Sequence, residues 1–338
     1  MTIVRRMIHP IPPGTRDVLP DEMRELRRLN RSLVDVFESA GYGEVATPAI
    51  EYDEVLARGD RASSASPYRF FDENGDLLAL RSDMTVPIAR LVATRFADAP
   101  KPLRLCYLAS AYRAVTPQRG EMREFVQAGI ELIGAPGADG TAEVIGVLEA
   151  ALDAAGLDRT IIGLGHADLY RNLLTEFGVD GEARESVLAR LATHDLVGLE
   201  AELSEAGIGT AATETCVALS QLRGGAEVLE RAREIGGDAI ERTTTRLQRT
   251  YEKLVESGTA DRVQIDFGLL RDLGYYSGAI LEVYDPALGH ILGGGGRYDG
   301  FLSKFGPDLP AAGFSLYLER VHVAQMEEEA RRAERTAS

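Results

Sequence analysis

Between residues 21 and 40 apolar side chains recur at helical spacing: Leu26, Leu29, Leu33, Val36, Phe37 and Ala40. The spacing predicts an amphipathic helix, with Asp21 able to cap its start and Gly41 following its end. GYGEVATPAIEY then reads as extended chain interrupted by Pro48. Over residues 68–80, Phe70-Phe71 and Leu77-Leu78 flank Asn74-Gly75, the pair that a tight type I′ turn requires. A hairpin is predicted there. Ser82 or Asp83 can cap a short helix running to about Phe96, with Pro87 tolerated in its first turn.

Residues 101–113 and 123–134 are both strand-like, joined by AVTPQRGEM. Alternate residues of a strand point to opposite faces. In the second strand Val126, Ala128, Ile130 and Leu132 form an apolar face. Arg123, Phe125, Gln127, Gly129 and Glu131 form the other. In the first strand Ala109, Ala111 and Arg113 share a face. Two readings are open. The polar face either meets solvent, as one face of an antiparallel sheet often does, or lines a concave site.

Residues 139–155 read as a helix and 157–164 as a strand. Residues 168–258 are rich in Ala, Glu, Leu and Arg with glycine breaks, which predicts a set of amphipathic helices. Strands resume with RVQIDFGLL, over 275–284 and after GGGGRYDG. Residues 311–326 contain a terminal helix, and the charged stretch 327–338 is predicted to be a flexible tail. The predicted class is α+β: a mostly antiparallel sheet flanked by helices, with an inserted helical subdomain. The divisions are 1–167 and 259–326 for the two parts of the core and 168–258 for the insertion.

Charge and composition narrow the function classes. Lys+Arg is 37 and Asp+Glu 53 in 338 residues, a net charge of −16. That balance argues against a polyanion-wrapping chain, because nucleic-acid affinity rests on Lys and Arg neutralising phosphates. Cys106 and Cys216 lack metal-ligand spacing, and the five histidines form no HxxxH pair, so no metal site is expected. GLGHAD at 163–168 lacks the third glycine of a dinucleotide fingerprint. No serine sits in a Gly-x-Ser-x-Gly elbow. No segment reads as a signal peptide or approaches the ~20 apolar residues of a membrane span, so a cytoplasmic chain is expected. The remaining chemistry is arginine with carboxylate and amide partners: Arg113, Arg119, Arg123, Gln127, Glu131, Arg271 and Arg320. Arginine forks suit phosphates and carboxylates.

The order of several segments resembles the catalytic core of class II aminoacyl-tRNA synthetases, and histidyl-tRNA synthetase in particular. PPGTRDVLPDE resembles that family's opening. The first helix with GYGEVATPAIEY resembles the dimer-forming first motif. RSDMTVPIAR matches an arginine-x-acid-x-threonine segment. YRAVTPQRGEMREFVQAGIEL resembles the second motif, led by Arg113. RDLGYYSG and LGGGGRYDG resemble two histidine-specific signatures, and AAGFSLYLERV resembles the third motif with Arg320. The likeness spans about residues 10–325.

The departures from that pattern are informative. Val115 stands where the synthetase has the glutamate that helps hold adenine, and Glu121 where it has an arginine that meets phosphate. A carboxylate beside a polyphosphate is repulsive. Only a short charged stretch follows Arg320, where the synthetase continues into an anticodon-binding domain. The combination resembles the synthetase paralogues that act as regulatory subunits of short-form ATP phosphoribosyltransferase.

That resemblance implies a non-catalytic protein with no catalytic residues and no cofactor. It implies a separate small catalytic subunit as partner, with the phosphoribosyl transfer residing there. It also implies a homodimer through the first motif within a larger hetero-oligomer, and feedback inhibition by histidine in the first step of histidine biosynthesis. Neither nucleic acid nor a membrane is an expected partner. A histidine-like ligand pocket would comprise Asp83, Thr85, Arg113, Gln127, Glu131, Arg271, Tyr275 and Tyr276. Arg113, Arg123 and Arg320 would be relics of anion binding. The alternative is a truncated histidyl-tRNA synthetase-like enzyme that still forms an aminoacyl adenylate.

Overall fold

The computed structural model describes residues 11–59, 67–114, 122–193, 195–270, 274–286 and 288–337. Helix α1 (Pro20–Ser39) starts on a proline at its first position, where a missing N–H costs nothing. It buries Leu26, Leu29, Leu33 and Phe37. Each such side chain contributes about 1.5–3 kcal/mol on burial. Strands β1 (Gly43–Glu44) and β2 (Ile50–Tyr52) lie on either side of Pro48. Helix α2 (Asp53–Gly59) follows.

The hairpin of β3 (Arg69–Phe71) and β4 (Leu77–Leu80) is present. Its turn is not the expected type I′ pair. The Gly75 N–H donates to Asp72 O, and Gly75 takes a φ of 89°. Asp72 Oδ1 accepts from the N–H groups of Asn74 and Asp76. The aspartate thus organises a loop one residue longer, a frequent hairpin alternative.

Helix α3 (Thr85–Arg95) leads to the long pair β5 (Leu103–Tyr112) and β6 (Glu124–Ile133). Helix α4 (Gly137–Ala154) and strand β7 (Ile161–His166) follow. Then come α5 (Leu169–Glu176), α6 (Gly181–Ala192), α7 (Leu196–Glu205), α8 (Thr210–Ser220), β8 (Arg223–Gly224), α9 (Glu227–Gly236) and α10 (Asp238–Ser257). Strands β9 (Val263–Asp266), β10 (Ala279–Tyr284), β11 (Ile291–Arg297) and β12 (Ala311–Tyr317) complete the sheet before helix α11 (Leu318–Ala337).

Nine strands form one sheet in the order β1-β5-β6-β12-β11-β10-β7-β9-β8. The run from β5 to β7 is antiparallel. The pairings of β1 with β5 and of β7 with β9 are parallel. The sheet is therefore mixed, which corrects the expectation of a mostly antiparallel one. Alternation along a strand says which residues share a face, but it carries no information on the direction of the neighbour.

Both faces of the sheet are covered. Ala128, Ile130 and Leu132 join α1 and α4 in the main core, and Phe37 meets Phe314 edge-on at 5.8 Å. On the other face Leu105, Tyr107 and Ile133 pack with α3 residues and with Tyr298 and Phe301. The polar face of β6 therefore does not look into solvent.

The expected flexible tail is helical through Ala337. Glu328 holds it in place: the side chain is buried and accepts from the backbone N–H groups of Asp158 and Arg159 at 3.0 and 3.1 Å. Arg332, one turn on, reaches Asp158 and Gly156 O.

Candidate functional site

Arg81 precedes Asp83 by two residues at the end of β4. It is buried, and donates to Ser110 O and Thr47 O at 2.7 Å and to Pro48 O at 3.2 Å. These bonds tie the chain around β2 to the end of β5 and set where Asp83 falls. Asp83 Oδ1 accepts from the Val86 N–H at 3.2 Å, so it caps α3 from just outside the helix.

Asp83, Thr85, Gln127, Glu131, Tyr275 and Tyr276 line one pocket with Arg113. It holds about 400 Å³, its mouth included. Alternation along β6 delivers Gln127 and Glu131 to the same wall, as expected from the sequence. Gly294 and Gly295 of β11 and Gly313 of β12, on the next two strands beside β6, also line it. A Cβ on Gly313 would lie 2.0 Å from Glu131 Oε2, and one on Gly295 2.0 Å from Gly313 O. A Cβ on Gly296 would lie 3.0 Å from the Tyr276 ring. The four-glycine run thus serves close strand packing under the site, which a side chain would prevent.

Glu131 sits at the centre and is 2% exposed. Thr85 Oγ1 donates to its Oε1 at 2.9 Å, and the Tyr298 hydroxyl donates to its Oε2. Burial pushes its carboxyl up to about 8. The two hydrogen bonds oppose that rise, and the neighbouring Asp83 adds to it. Near neutral pH the group is poised between its acid and its carboxylate. Gln127 donates to Ser315 Oγ at 3.2 Å, while its Oε1 is buried and accepts nothing. Burial also holds the Tyr107, Tyr275 and Tyr298 phenols far above their ordinary range, so all three stay protonated.

The pocket is therefore rich in acceptors, with Arg113 as the cation of its lining. It suits a small ligand that carries N–H donors and a positive amine. The Arg113 Nε donates to Ser82 O at 3.1 Å, and its guanidinium lies 4.8 Å from the Phe125 ring centroid.

The relic arginines separate. Arg113 and Tyr317 are shared with a neighbouring groove that also contains Glu319 and Arg320. Arg320 donates to Ile291 O and stacks over Tyr317 at 4.7 Å. Arg123 lies apart from both cavities and reaches the Tyr68 hydroxyl at 3.2 Å. Val115, Arg119, Glu121 and Arg271 lie outside the described residues.

Sequence reasoning missed Tyr107, Tyr298 and Ser315. Tyr107 was within reach of it, because it falls on the same face of β5 as Ala109 and Ala111. Tyr298 and Ser315 meet the site only through strands far along the chain. Among the described residues no cluster of three metal-ligating side chains occurs, and no helix is long and apolar enough to cross a membrane.

The histidyl-tRNA synthetase family model matches residues 14–321. A relative from Symbiobacterium thermophilum, named ATP phosphoribosyltransferase regulatory subunit, is 43% identical over 96% of this chain and 82% of its own length. One of the same name from Moorella thermoacetica is 41% identical over 94% of this chain and 82% of its own. A crystal structure from Bacillus halodurans, described as ATP phosphoribosyltransferase regulatory subunit/histidyl-tRNA synthetase, superposes with a TM-score of 0.85 at 33% identity. It covers 94% of this chain and 83% of that one. The histidyl-tRNA synthetase of Nostoc shares the fold, with a TM-score of 0.80 at 21% identity over 96% of this chain and 77% of that one. The chain belongs to the ATP phosphoribosyltransferase regulatory subunit family, built on the histidyl-tRNA synthetase fold.

Proposed function

We propose that this chain is the non-catalytic regulatory subunit of a short-form ATP phosphoribosyltransferase. It is required by a separate catalytic subunit and serves feedback inhibition by histidine in the first step of histidine biosynthesis. The observation that carries the reading is the family membership together with the acceptor-lined pocket around Glu131. In this reading Asp83, Gln127 and Glu131 take the α-amino group and imidazole, Thr85 and Tyr275 support them, Tyr276 closes the pocket, and Arg271 with Arg113 meets the carboxylate. Val115 and Glu121 in the sequence weigh against adenylate formation. Regulation then requires histidine to bind one state of the assembly more tightly than another.

The reading extends to assembly and compartment. The homodimer forms through α1 and the segment 41–52. Exposed Ile50, Tyr52, Phe71 and Leu77 on the small β2-β4-β3 sheet support an apolar contact there. Residues 168–258 act as a helical unit set into the core, supported by six helices and one two-residue strand among the described residues of that stretch. The complex works in the cytoplasm.

The test adds the purified chain to a purified short-form catalytic subunit and follows product formation with and without histidine. The expected result is activation by the chain and inhibition by histidine. Histidine-dependent pyrophosphate exchange by the isolated chain would instead favour the truncated synthetase.

A further inference from the structure

We infer that a second cavity, between the N-terminus of α4 and helix α10, binds a small phosphorylated anion. It holds about 990 Å³, its mouth included, and shares no lining residue with the acidic pocket. The inference therefore does not depend on the regulatory reading.

The floor carries donors without acceptors. His166 ends β7 and is 3% exposed. Its Nδ1 accepts from the Asp168 N–H at 3.2 Å, so the neutral ring carries its proton on Nε2. His166 is in the lining of the cavity, and its Nε2 is buried with no hydrogen-bond partner. The Ser277 hydroxyl, also in the lining, is buried and equally without a partner. A buried donor left unmade costs roughly 1–3 kcal/mol, which an incoming oxygen recovers.

The rim supplies positive charge. Arg246 and Arg249 stand three residues apart on α10, so both face the cavity from one side. Both are exposed, and neither has a carboxylate within ion-pair distance among the described residues. The first residues of α4, Gly137 and Ala138, bring the positive end of a helix of 18 residues.

The one carboxylate in the lining, Asp299, is already held by Arg297 at 2.8 Å. Arg297 in turn is spent on Gly137 O, Ala135 O and Thr141 Oγ1, so it fixes the wall and offers nothing to a ligand. Outside the lining, the charge of Arg246 acts on Asp168, and Asp139 in the first turn of α4 is paired with Lys253 at 3.5 Å.

The imidazole N–H and two guanidinium forks offer only donors, and the Ser277 hydroxyl can donate with them. A metal cation finds no ligand set there. A group with several clustered oxygens and at least two negative charges satisfies them together, as a phosphoryl group does. The space admits more than bare phosphate, up to a sugar phosphate. The glycines of GLGHAD, which fit no dinucleotide fingerprint, have a local packing reason. A Cβ on Gly165 would lie 3.0 Å from the Leu269 side chain and 3.1 Å from Asp266 O.

Calorimetric titration of the full chain at low salt tests this, with inorganic pyrophosphate in one arm and ribose 5-phosphate in the other. The expected result is saturable binding of at least one probe, weakened tenfold or more in the Arg246→Gln/Arg249→Gln double variant. Both positions are exposed, so the variant should keep its melting temperature. Ser277→Ala should weaken the same probe severalfold. His166 is read in the unaltered chain: its Nε2–H resonance should shift on adding the probe that binds. Binding confined to pyrophosphate assigns the site to an inorganic anion, and binding of ribose 5-phosphate assigns it to a sugar phosphate. No saturable binding of either, or equal affinity in the double variant, overturns the inference.

Discussion

The pocket around Glu131 and the cavity around His166 each bury a titratable side chain near the sheet, yet their polarity is opposite. Around Glu131 acceptors prevail: two carboxyl groups and the orphan Oε1 of Gln127. Around His166 donors prevail: the orphan Nε2–H, the Ser277 hydroxyl and two arginines at the rim. Burial shifts the two central groups in opposite directions for one reason, the cost of charge in a poorly solvated place. It raises Glu131 to about 8 and lowers His166 to about 4, with Arg246 adding to the latter. The two proposed sites thus call for ligands of opposite sign.

The largest effect that sharpens this contrast should come from steric closure of the acidic pocket. Gly313→Ala places a Cβ against Glu131 Oε2 and 2.3 Å from Ile130 O, a backbone atom that cannot swing aside. Urea unfolding should show a loss of about 3 kcal/mol. Histidine binding should vanish, while pyrophosphate binding at the other cavity should survive in the folded fraction.

Next in size is the pH dependence of Glu131. Its folded value exceeds its unfolded one, so the folded state holds the proton more tightly. The resulting stability is complete below about pH 4.5 and is lost as pH rises through about 8. Glu131→Gln should remove that slope, on the order of a few kcal/mol, from a denaturation series across the window. His166 predicts the reverse slope. Its stabilising contribution is present above about pH 6.5 and is lost as pH falls through about 4. A variant chain in which both slopes persist after Glu131→Gln would break the comparison.

A smaller effect is expected at Gln127. Gln127→Leu removes an acceptor that has no partner together with the donor to Ser315 Oγ, so stability should change by about 1 kcal/mol. Histidine affinity should nevertheless fall about tenfold, measured by calorimetry. Smallest of all, Arg246→Gln and Arg249→Gln should alter stability by under about 0.5 kcal/mol, because both are exposed. Neither should change histidine affinity.

How much of this was readable beforehand differs by element. α1 was clear because its apolar residues repeat every third and fourth position. The two faces of β6 were clear because strand alternation is local. The pocket list rested on resemblance and mostly holds together in space: seven of its eight residues meet, and Arg271 lies outside the described residues. Arg123, expected with Arg113 and Arg320 as a relic of anion binding, lies apart from both cavities. It shares a face with Gln127 in the alternation, yet at the strand end its side chain turns to Tyr68. The stretch 327–338 looked unable to pack, because one buried glutamate and two backbone amides anchor it and no apolar stripe marks that.

The sequence by itself determined the helix and strand faces, the absence of metal-ligand spacing and the family likeness, since each depends on residues near one another or on segment order. Only the tertiary structure decided the mixed sheet, the covering of the polar face of β6, and the partners of Glu131, which come from residues 85 and 298. It alone exposed the unpartnered nitrogen of His166. Whether a polar atom is satisfied depends on every element that packs around it, and that is settled when distant segments meet.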